Sequence, residues 1–277
     1  MKPEWLKVPI PDAESISNIR SKIQGSTHTI CEEARCPNLG ECWKNGTATF
    51  LILGDRCTRN CRYCNVRSGT PEEPDEKEPE RLANIIKELG LRYSVITSVT
   101  RDDLEDGGAD HFRKTIRAIR KLTGSKIEVL TPDFKGDMTA IRKVLGENPE
   151  VFAHNIEAVE RLFPRIRPEA DYKKSMAFLK TLKQLNPRQT TKSGLMIGLG
   201  ETKKEIIKTM RTLRLVKVDL LTIGQYLQPR TDLAKVERYY TPEEFEEFKN
   251  IAYDLGFEHV ESAPLVRSSY HAEEAIR

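Results

Sequence analysis

Six short runs of β-branched and apolar residues punctuate the chain: Thr47 to Leu53, Tyr93 to Val99, Lys126 to Leu130, Val151 to Asn155, Ser193 to Leu199 and Val218 to Ile223. Each is followed by turn chemistry, which predicts a strand. Between them, apolar residues recur at three- and four-residue spacing over about Pro79 to Leu89, Ala109 to Leu122, Met138 to Leu145, Tyr172 to Gln184 and Lys203 to Leu215. That spacing predicts helices with one buried face. A last helix runs from Pro242 to Leu255, with Thr241 as its N-cap and Gly256 at its end. Near the start, Ile16, Ile19 and Ile23 predict a helix from about Asp12 to Gln24. Strands alternating with helices imply parallel pairing and right-handed crossovers. Six such units suggest a partial (β/α)6 barrel, and a doubly wound sheet fits the same pattern. In both, ligands collect beyond the carboxyl ends of the strands.

The chemistry sits just past the first strand. Cys57, Cys61 and Cys64 are spaced C-x3-C-x2-C, with Tyr63 directly before the last. Three thiolates this close can wrap a small metal centre without completing it. A structural zinc site would want a fourth ligand and usually a second paired knuckle. A four-iron, four-sulfur cluster on three thiolates keeps one iron open. A zinc knuckle or a set of buried thiols is the plainer alternative. The spacing resembles the cluster loop of the radical S-adenosylmethionine (radical SAM) enzymes. That resemblance implies that the open iron chelates the methionine end of SAM and that Tyr63 flanks the adenine.

All six cysteines lie between Cys31 and Cys64, and the others form a second set: Cys31, Cys36 and Cys42, spaced C-x4-C-x5-C. Clustered thiols in a long chain point to metal and not to a disulfide framework, which belongs to small secreted scaffolds. Two three-cysteine sets in tandem are a narrower signal than either alone. Composition adds bounds rather than chemistry. A net charge of +3 is too mild to argue for nucleic acid, and no apolar run approaches the roughly 20 residues that span a bilayer. Met1 to Pro11 has neither the apolar core of a secretory signal nor the bias of a transit peptide. A cytoplasmic location is expected, with no membrane partner. Residues 71 to 80, acidic and proline-bearing, read as a solvated linker.

Candidate groups follow the later strands. Thr97, Ser98 and Asp102, ahead of a Gly107-Gly108 turn, offer hydroxyls and a carboxylate for the amino group of SAM. Strand-end capping and a helix start explain them equally well. Asn155 and Glu157 suit ribose or carboxylate contacts, and Asn155 suits a helix cap as well. Gly194 to Glu201 resembles the G-x-I-x-G-x-x-E element of the radical SAM family, with Met196 at the Ile position; Gly198 would let backbone approach adenine. Arg161, Arg165, Arg167, Lys173 and Lys174 cluster in sequence and read mostly as a solvated basic face.

The C-terminal Arg267-Ser268-Ser269-Tyr270 completes a resemblance over nearly the whole chain. With both cysteine spacings, Thr97 to Asp103, Asn155 and Gln225 to Pro229, the sequence resembles the lipoyl synthases. The resemblance implies a sulfurtransferase that inserts two sulfur atoms at C6 and C8 of an octanoyl-lysine, with SAM and two 4Fe-4S clusters as cofactors. Cys57, Cys61 and Cys64 would hold the first cluster. Cys31, Cys36, Cys42 and Ser268 (or else Ser269) would hold the second, which donates the sulfur, with Arg267 supporting it. Gln225 and Leu227 join Tyr63, Thr97, Ser98, Asp102, Asn155, Glu157 and Gly198 as SAM contacts. Implied partners are octanoylated lipoyl carrier domains, of 2-oxoacid dehydrogenase E2 subunits or the glycine cleavage H protein. An electron donor such as ferredoxin or flavodoxin and an iron–sulfur carrier that rebuilds the cluster complete the set. Residues 1–46 would carry the second set of cysteines, 47–256 the barrel and 257–277 the terminal motif. The rival readings are another sulfur-inserting or methylthio-transferring radical enzyme and a non-catalytic zinc-binding adaptor.

Overall fold

A computed structural model describes residues 3–7, 27–34 and 36–275. The helix expected over Asp12 to Gln24 lies outside the described residues. The chain divides into two compact units, one built on the described residues of Ile10–Arg59, on Val66–Phe152 and on the described residues of Ala272–Arg277. The other comprises Asn60–Asn65 and Ala153–His271 with the described residues of Met1–Pro9.

In the first unit, strand β1 (Thr47–Ile52) pairs in parallel with β2 (Tyr93–Ser98), Thr47 opposite Tyr93 and Ile52 opposite Ser98. β2 pairs in parallel with β3 (Lys126–Leu130). Every residue of β1 is buried, as expected of a parallel strand covered on both faces. Helices α1 (Glu78–Leu89), α2 (Ala109–Leu122) and α3 (Met138–Leu145) supply the cover. α2 buries Phe112, Thr115, Ile116 and Ile119, a stripe at helical spacing. A two-residue strand, His28–Thr29, pairs antiparallel with β1 and leads into short helices at Ile30–Glu33 and Leu39–Lys44.

Strand β4 (Val151–Ala153) is where the chain passes into the second unit. There α4 (Tyr172–Leu185), β5 (Thr191–Ile197), α5 (Lys203–Leu215), β6 (Leu220–Gln225), α6 (Pro242–Asp254) and β7 (His259–Ala263) follow in order. β6 lies between β5 and β7 and is parallel to both. α5 and α6 each open on a reciprocal capping box, Thr202 with Glu205 and Thr241 with Glu244.

Among the described residues the expected strands and helices form, with shifted ends. The fourth strand stops at Ala153 and not Asn155, the fifth begins at Thr191, and the sixth runs on through Gly224 and Gln225, which read as turn residues. β7 was not foreseen. Its residues alternate between half-buried and buried, leaving Val260 and Ser262 as the inward positions, too thin an apolar signal to mark a strand. Residues 71–80 are not a solvated linker to the end: α1 begins at Glu78, which is 4% exposed because its carboxylate has buried partners.

Candidate functional site

The Cys57 arm is held from several sides, all within the first unit. Cys57 ends a two-residue strand, Arg56–Cys57, paired with Arg67–Ser68. Its Sγ accepts hydrogen bonds from the N–H of Thr100 (3.2 Å) and of Arg59 (3.4 Å). Thr58 donates its backbone N–H (3.0 Å) and its hydroxyl (2.9 Å) to the Thr100 carbonyl, and its Oγ1 accepts the Asp102 N–H at 3.0 Å. Arg59 is 6% exposed. It donates to both oxygens of Asp102 (2.7 and 3.0 Å) and both of Asp133 (3.2 and 2.8 Å). Burial works against its charge, but the hydrogen bonds to Asp102 and Asp133 outweigh that and hold the guanidinium protonated more firmly than usual.

Upstream, Leu53 leaves β1 in the left-handed region (φ 68°) and Gly54 follows at φ 91°. Glu78 fixes this turn by accepting the Leu53 N–H (2.9 Å) while bonding His111 Nε2 (2.6 Å), all three buried. A Cβ on Gly108 would lie 2.4 Å from Leu53 Cδ1, so only glycine lets α2 start this close.

Cys31, Cys36 and Cys42 come together in the first unit. Cys31 is buried in the short helix Ile30–Glu33, and Cys42 is half-buried in Leu39–Lys44. Burial first, then the charge of Cys36, pushes the Cys31 thiol up to about 11. Burial, Cys36, Cys31 and then Glu273 push Cys42 higher still. Three thiolates that oppose one another's ionisation are a poor set by themselves and a good one around a cation, so this donor set fits a cluster. Glu273 follows closely on the Ser268-Ser269 motif in the chain and accepts the Thr47 hydroxyl at 2.8 Å. Ala272 packs against Tyr93 and Val95.

In the second unit, Tyr63 shares a hydrogen bond with Glu157, whose Oε1 accepts from Asn155 Nδ2 at 3.0 Å. Loss of solvent raises both the Tyr63 hydroxyl and the Glu157 carboxyl above their ordinary values. Arg167 is buried, donates to the Asn155 carbonyl (2.9 Å) and lies over the Phe163 ring at 5.1 Å. It is therefore not part of a solvated basic face, whereas Arg161 is exposed and pairs with Glu205. Cys61 and Cys64 lie within electrostatic reach of Tyr63.

Glu201 accepts the N–H groups of Gly198 (2.6 Å) and Leu199 (2.9 Å), fixing the glycine-rich turn. A Cβ on Gly198 (φ 108°) would meet Gln225 Nε2 at 2.1 Å. The Gln225 amide is fully engaged with backbone, donating to Ile197, Tyr226 and Arg238 carbonyls and accepting the Tyr240 N–H. Gln225 thus shapes the turn from behind. Leu227 is half-buried just beyond it. Arg267 donates to its neighbour Val266, packed against Gly224 of β6, while Ser268 and Ser269 sit half-buried in the turn that follows.

One polar atom in each unit, taken separately, tests the fit to a polar ligand such as SAM. Ser98 Oγ and Asn155 Oδ1 are buried without a hydrogen-bond partner among the described residues. Buried polar atoms in a folded protein are normally paired, so both are suited to a polar ligand. Thr97 differs: its hydroxyl is committed to the Leu130 carbonyl at 2.9 Å.

The model of the radical SAM superfamily matches residues 51–213. The lipoyl synthase of Rubrobacter xylanophilus is 55% identical over 275 residues, covering 99% of this chain and 86% of the relative. The chain belongs to the lipoyl synthase family. Among solved structures, SAM-bound SuiB of Streptococcus suis has a TM-score of 0.59 at 12% identity, covering 80% of this chain and 51% of that one. Coproporphyrinogen III oxidase (HemN) of Escherichia coli, a radical SAM enzyme, has a TM-score of 0.54 at 12% identity, covering 76% and 53%. The chain spans about half the length of these two structures, and the likeness carries the fold alone: the expected radical SAM partial barrel and not a doubly wound sheet. As a radical SAM enzyme of the lipoyl synthase family, the protein uses SAM and iron–sulfur chemistry. Among its described residues no helix is long and apolar enough to cross a membrane.

Proposed function

We propose that this lipoyl synthase family member inserts two sulfur atoms, at C6 and C8 of an octanoyl-lysine on a lipoyl carrier domain, and draws both from its own second cluster. The observation that carries the reading is the doubled three-cysteine set, one set being three buried or half-buried thiols that suppress one another's ionisation. Cys57, Cys61 and Cys64 hold one 4Fe-4S cluster, and Cys31, Cys36 and Cys42 hold another with Ser268 as its fourth, oxygen ligand. When bound, the first cluster with SAM supplies a 5′-deoxyadenosyl radical, and the second supplies sulfur. Such chemistry is needed because the C–H bonds of an alkyl chain are not acidic enough for any side-chain base.

The residues of this chain then bind, orient and exclude. Tyr63 flanks the adenine, with its ring direction set by the hydrogen bond to Glu157. Ser98 and Asn155 offer their unpartnered oxygens to SAM, and Gly198 and Leu227 line it. Glu201 and Gln225 act one step behind, by fixing the Gly198 turn. Residues 1–46 carry the sulfur-donating cluster, 47–256 the radical machinery and 257–277 the motif that closes the second cluster. Holding the alkyl chain still and dry directs the radical to one carbon at a time.

The reading extends to partners: an E2 subunit or H protein as the octanoylated carrier, ferredoxin or flavodoxin as electron donor, and an iron–sulfur carrier to rebuild the spent cluster. The reading includes a cytoplasmic location. The test is anaerobic incubation of the reconstituted protein with SAM, a strong reductant and an octanoylated carrier, followed by mass measurement of the carrier. Two added sulfur atoms per octanoyl group are expected. A carrier that gains a methylthio group, or nothing, would overturn the proposal.

A further inference from the structure

Arg59 stands inside the C-x3-C-x2-C spacing, at a place where the motif asks for no particular residue. It is nonetheless one of the most committed side chains in its unit. Four hydrogen bonds from one buried guanidinium reach two carboxylates that lie 43 and 74 residues further along the chain. The second carboxylate, Asp133, is itself held at 6% exposure. Its loop is strained: Phe134 and Lys135 both adopt left-handed backbone (φ 44° and 52°) before Gly136 at 80°. The Asp133 carboxylate accepts the Lys135 N–H at 3.2 Å, and Lys135 Nζ returns to the Asp102 carbonyl at 2.7 Å. Non-glycine residues persist at positive φ only where the surroundings over-determine them. Here those surroundings are the loop that presents Asp133 to Arg59.

What the clamp holds is the geometry at Cys57. Arg59 ties the cysteine arm to the Thr100–Asp102 loop, and that loop aims the Thr100 N–H at Cys57 Sγ. The N–H of Arg59 is the second donor to the same sulfur. Hydrogen bonds to ligand sulfur and local net charge are two of the terms that set an iron–sulfur reduction potential.

We propose that Arg59, clamped between Asp102 and Asp133, is a positioning residue that fixes the Cys57 arm and thereby sets the reduction potential of the cluster that this arm ligates. The inference rests on the reading of Cys57, Cys61 and Cys64 as ligands of the radical SAM cluster. It gives Asp102 a role at Arg59 beside the contact to the amino group of SAM that its place in the sequence suggests, since each carboxylate oxygen carries a guanidinium donor. Lysine cannot replace this arginine: it keeps the charge but has no planar fork to grip two carboxylates at once.

The experiment uses the full chain with Cys31, Cys36 and Cys42 replaced by Ala, so that one cluster signal remains, and titrates that signal by electron paramagnetic resonance. In Arg59→Lys the two backbone N–H donors to the sulfur lose the clamp that aims them. At a fixed applied potential the reduced-to-oxidised ratio should fall at least tenfold, which is 59 mV for a one-electron couple. In Asp133→Asn the amide oxygen can still accept from Arg59 Nη2 and the Lys135 N–H, and the two bonds to Asp102 stay. The Nη1 bond is lost and one negative charge is removed, so the ratio should rise, the opposite sign. A role confined to stability would move melting temperature and leave both potentials in place, and that result overturns the inference. If Arg59→Lys does not fold, Asp133→Asn decides alone: an unchanged or lowered ratio overturns it. A parent protein whose iron signal survives Cys57→Ala overturns the cluster reading and the clamp with it. A normal parent with unchanged variants overturns the clamp alone.

Discussion

The two cysteine sets are of the same size and are held in different ways. Around Cys57, the backbone is tied down by two N–H donors on the sulfur, by Thr58 on both sides and by the Arg59 clamp. Around Cys31, Cys36 and Cys42 the chain makes two short helices of four and six residues, too short to be stable by themselves, closed by single-turn backbone bonds. The Cys31 and Cys42 thiols are pushed up by burial and then by the neighbouring Cys36. A centre that passes an electron at every turnover benefits from a fixed, tuned environment. A centre that is taken apart and rebuilt benefits from a segment that can open around it. The contrast in local structure is the one that the proposed function calls for: one cluster retained, the other consumed.

The comparison breaks most sharply at the cysteines themselves. Replacing Cys57, Cys61 and Cys64 with Ala should abolish SAM cleavage, measured as 5′-deoxyadenosine, while iron remains on the other set. Replacing Cys31, Cys36 and Cys42 should leave cleavage measurable and remove lipoyl product altogether; normal product from this variant would invert the assignment. Ser268→Ala comes next. It should spare cleavage and block sulfur insertion, because the variant removes a proposed ligand of the second cluster. Ser269→Ala, assayed beside it, should keep the yield.

Smaller effects test the scaffold under the retained cluster. Glu78→Ala strands His111 and the Leu53 N–H in a buried site, and should cost about 3 kcal/mol in urea unfolding. A loss below about 1 kcal/mol would show that the turn at Leu53 does not depend on it. Thr202→Ala removes half of a capping box far from the cysteines in sequence. It should cost about 1 kcal/mol with SAM cleavage unchanged.

Much of this was legible in the sequence because periodicity and thiol spacing are local signals. The strands and helices follow from apolar spacing, and the metal chemistry follows from six cysteines in two narrow sets. What escaped notice was held by distant partners. Arg59 carries no local signal, because its partners Asp102 and Asp133 are remote in sequence. Arg167 looked solvated beside Arg165 and Arg161, until Phe163 and the Asn155 carbonyl buried it. Glu78 looked like the end of an acidic linker because its partner His111 lies 33 residues away on α2. β7 was missed for a different reason: with Val260 and Ser262 as its inward residues, it pairs through backbone that no side-chain pattern announces. Gln225, expected at the cofactor, has its side-chain amide engaged by four backbone groups that no sequence pattern announces.

The central claim is that the sulfur in the product comes from the protein's own second cluster. All six cysteines are assigned as ligands, so none remains to carry a persulfide. Dilute free sulfide is poorly placed to trap a carbon radical. The direct measurement is to reconstitute the clusters with heavy sulfide, supply only light sulfide in solution, and weigh the lipoyl group formed on the carrier. The account requires both sulfur atoms to be heavy and about one lipoyl group per chain before the cluster must be rebuilt. Lipoyl product carrying light sulfur would contradict it.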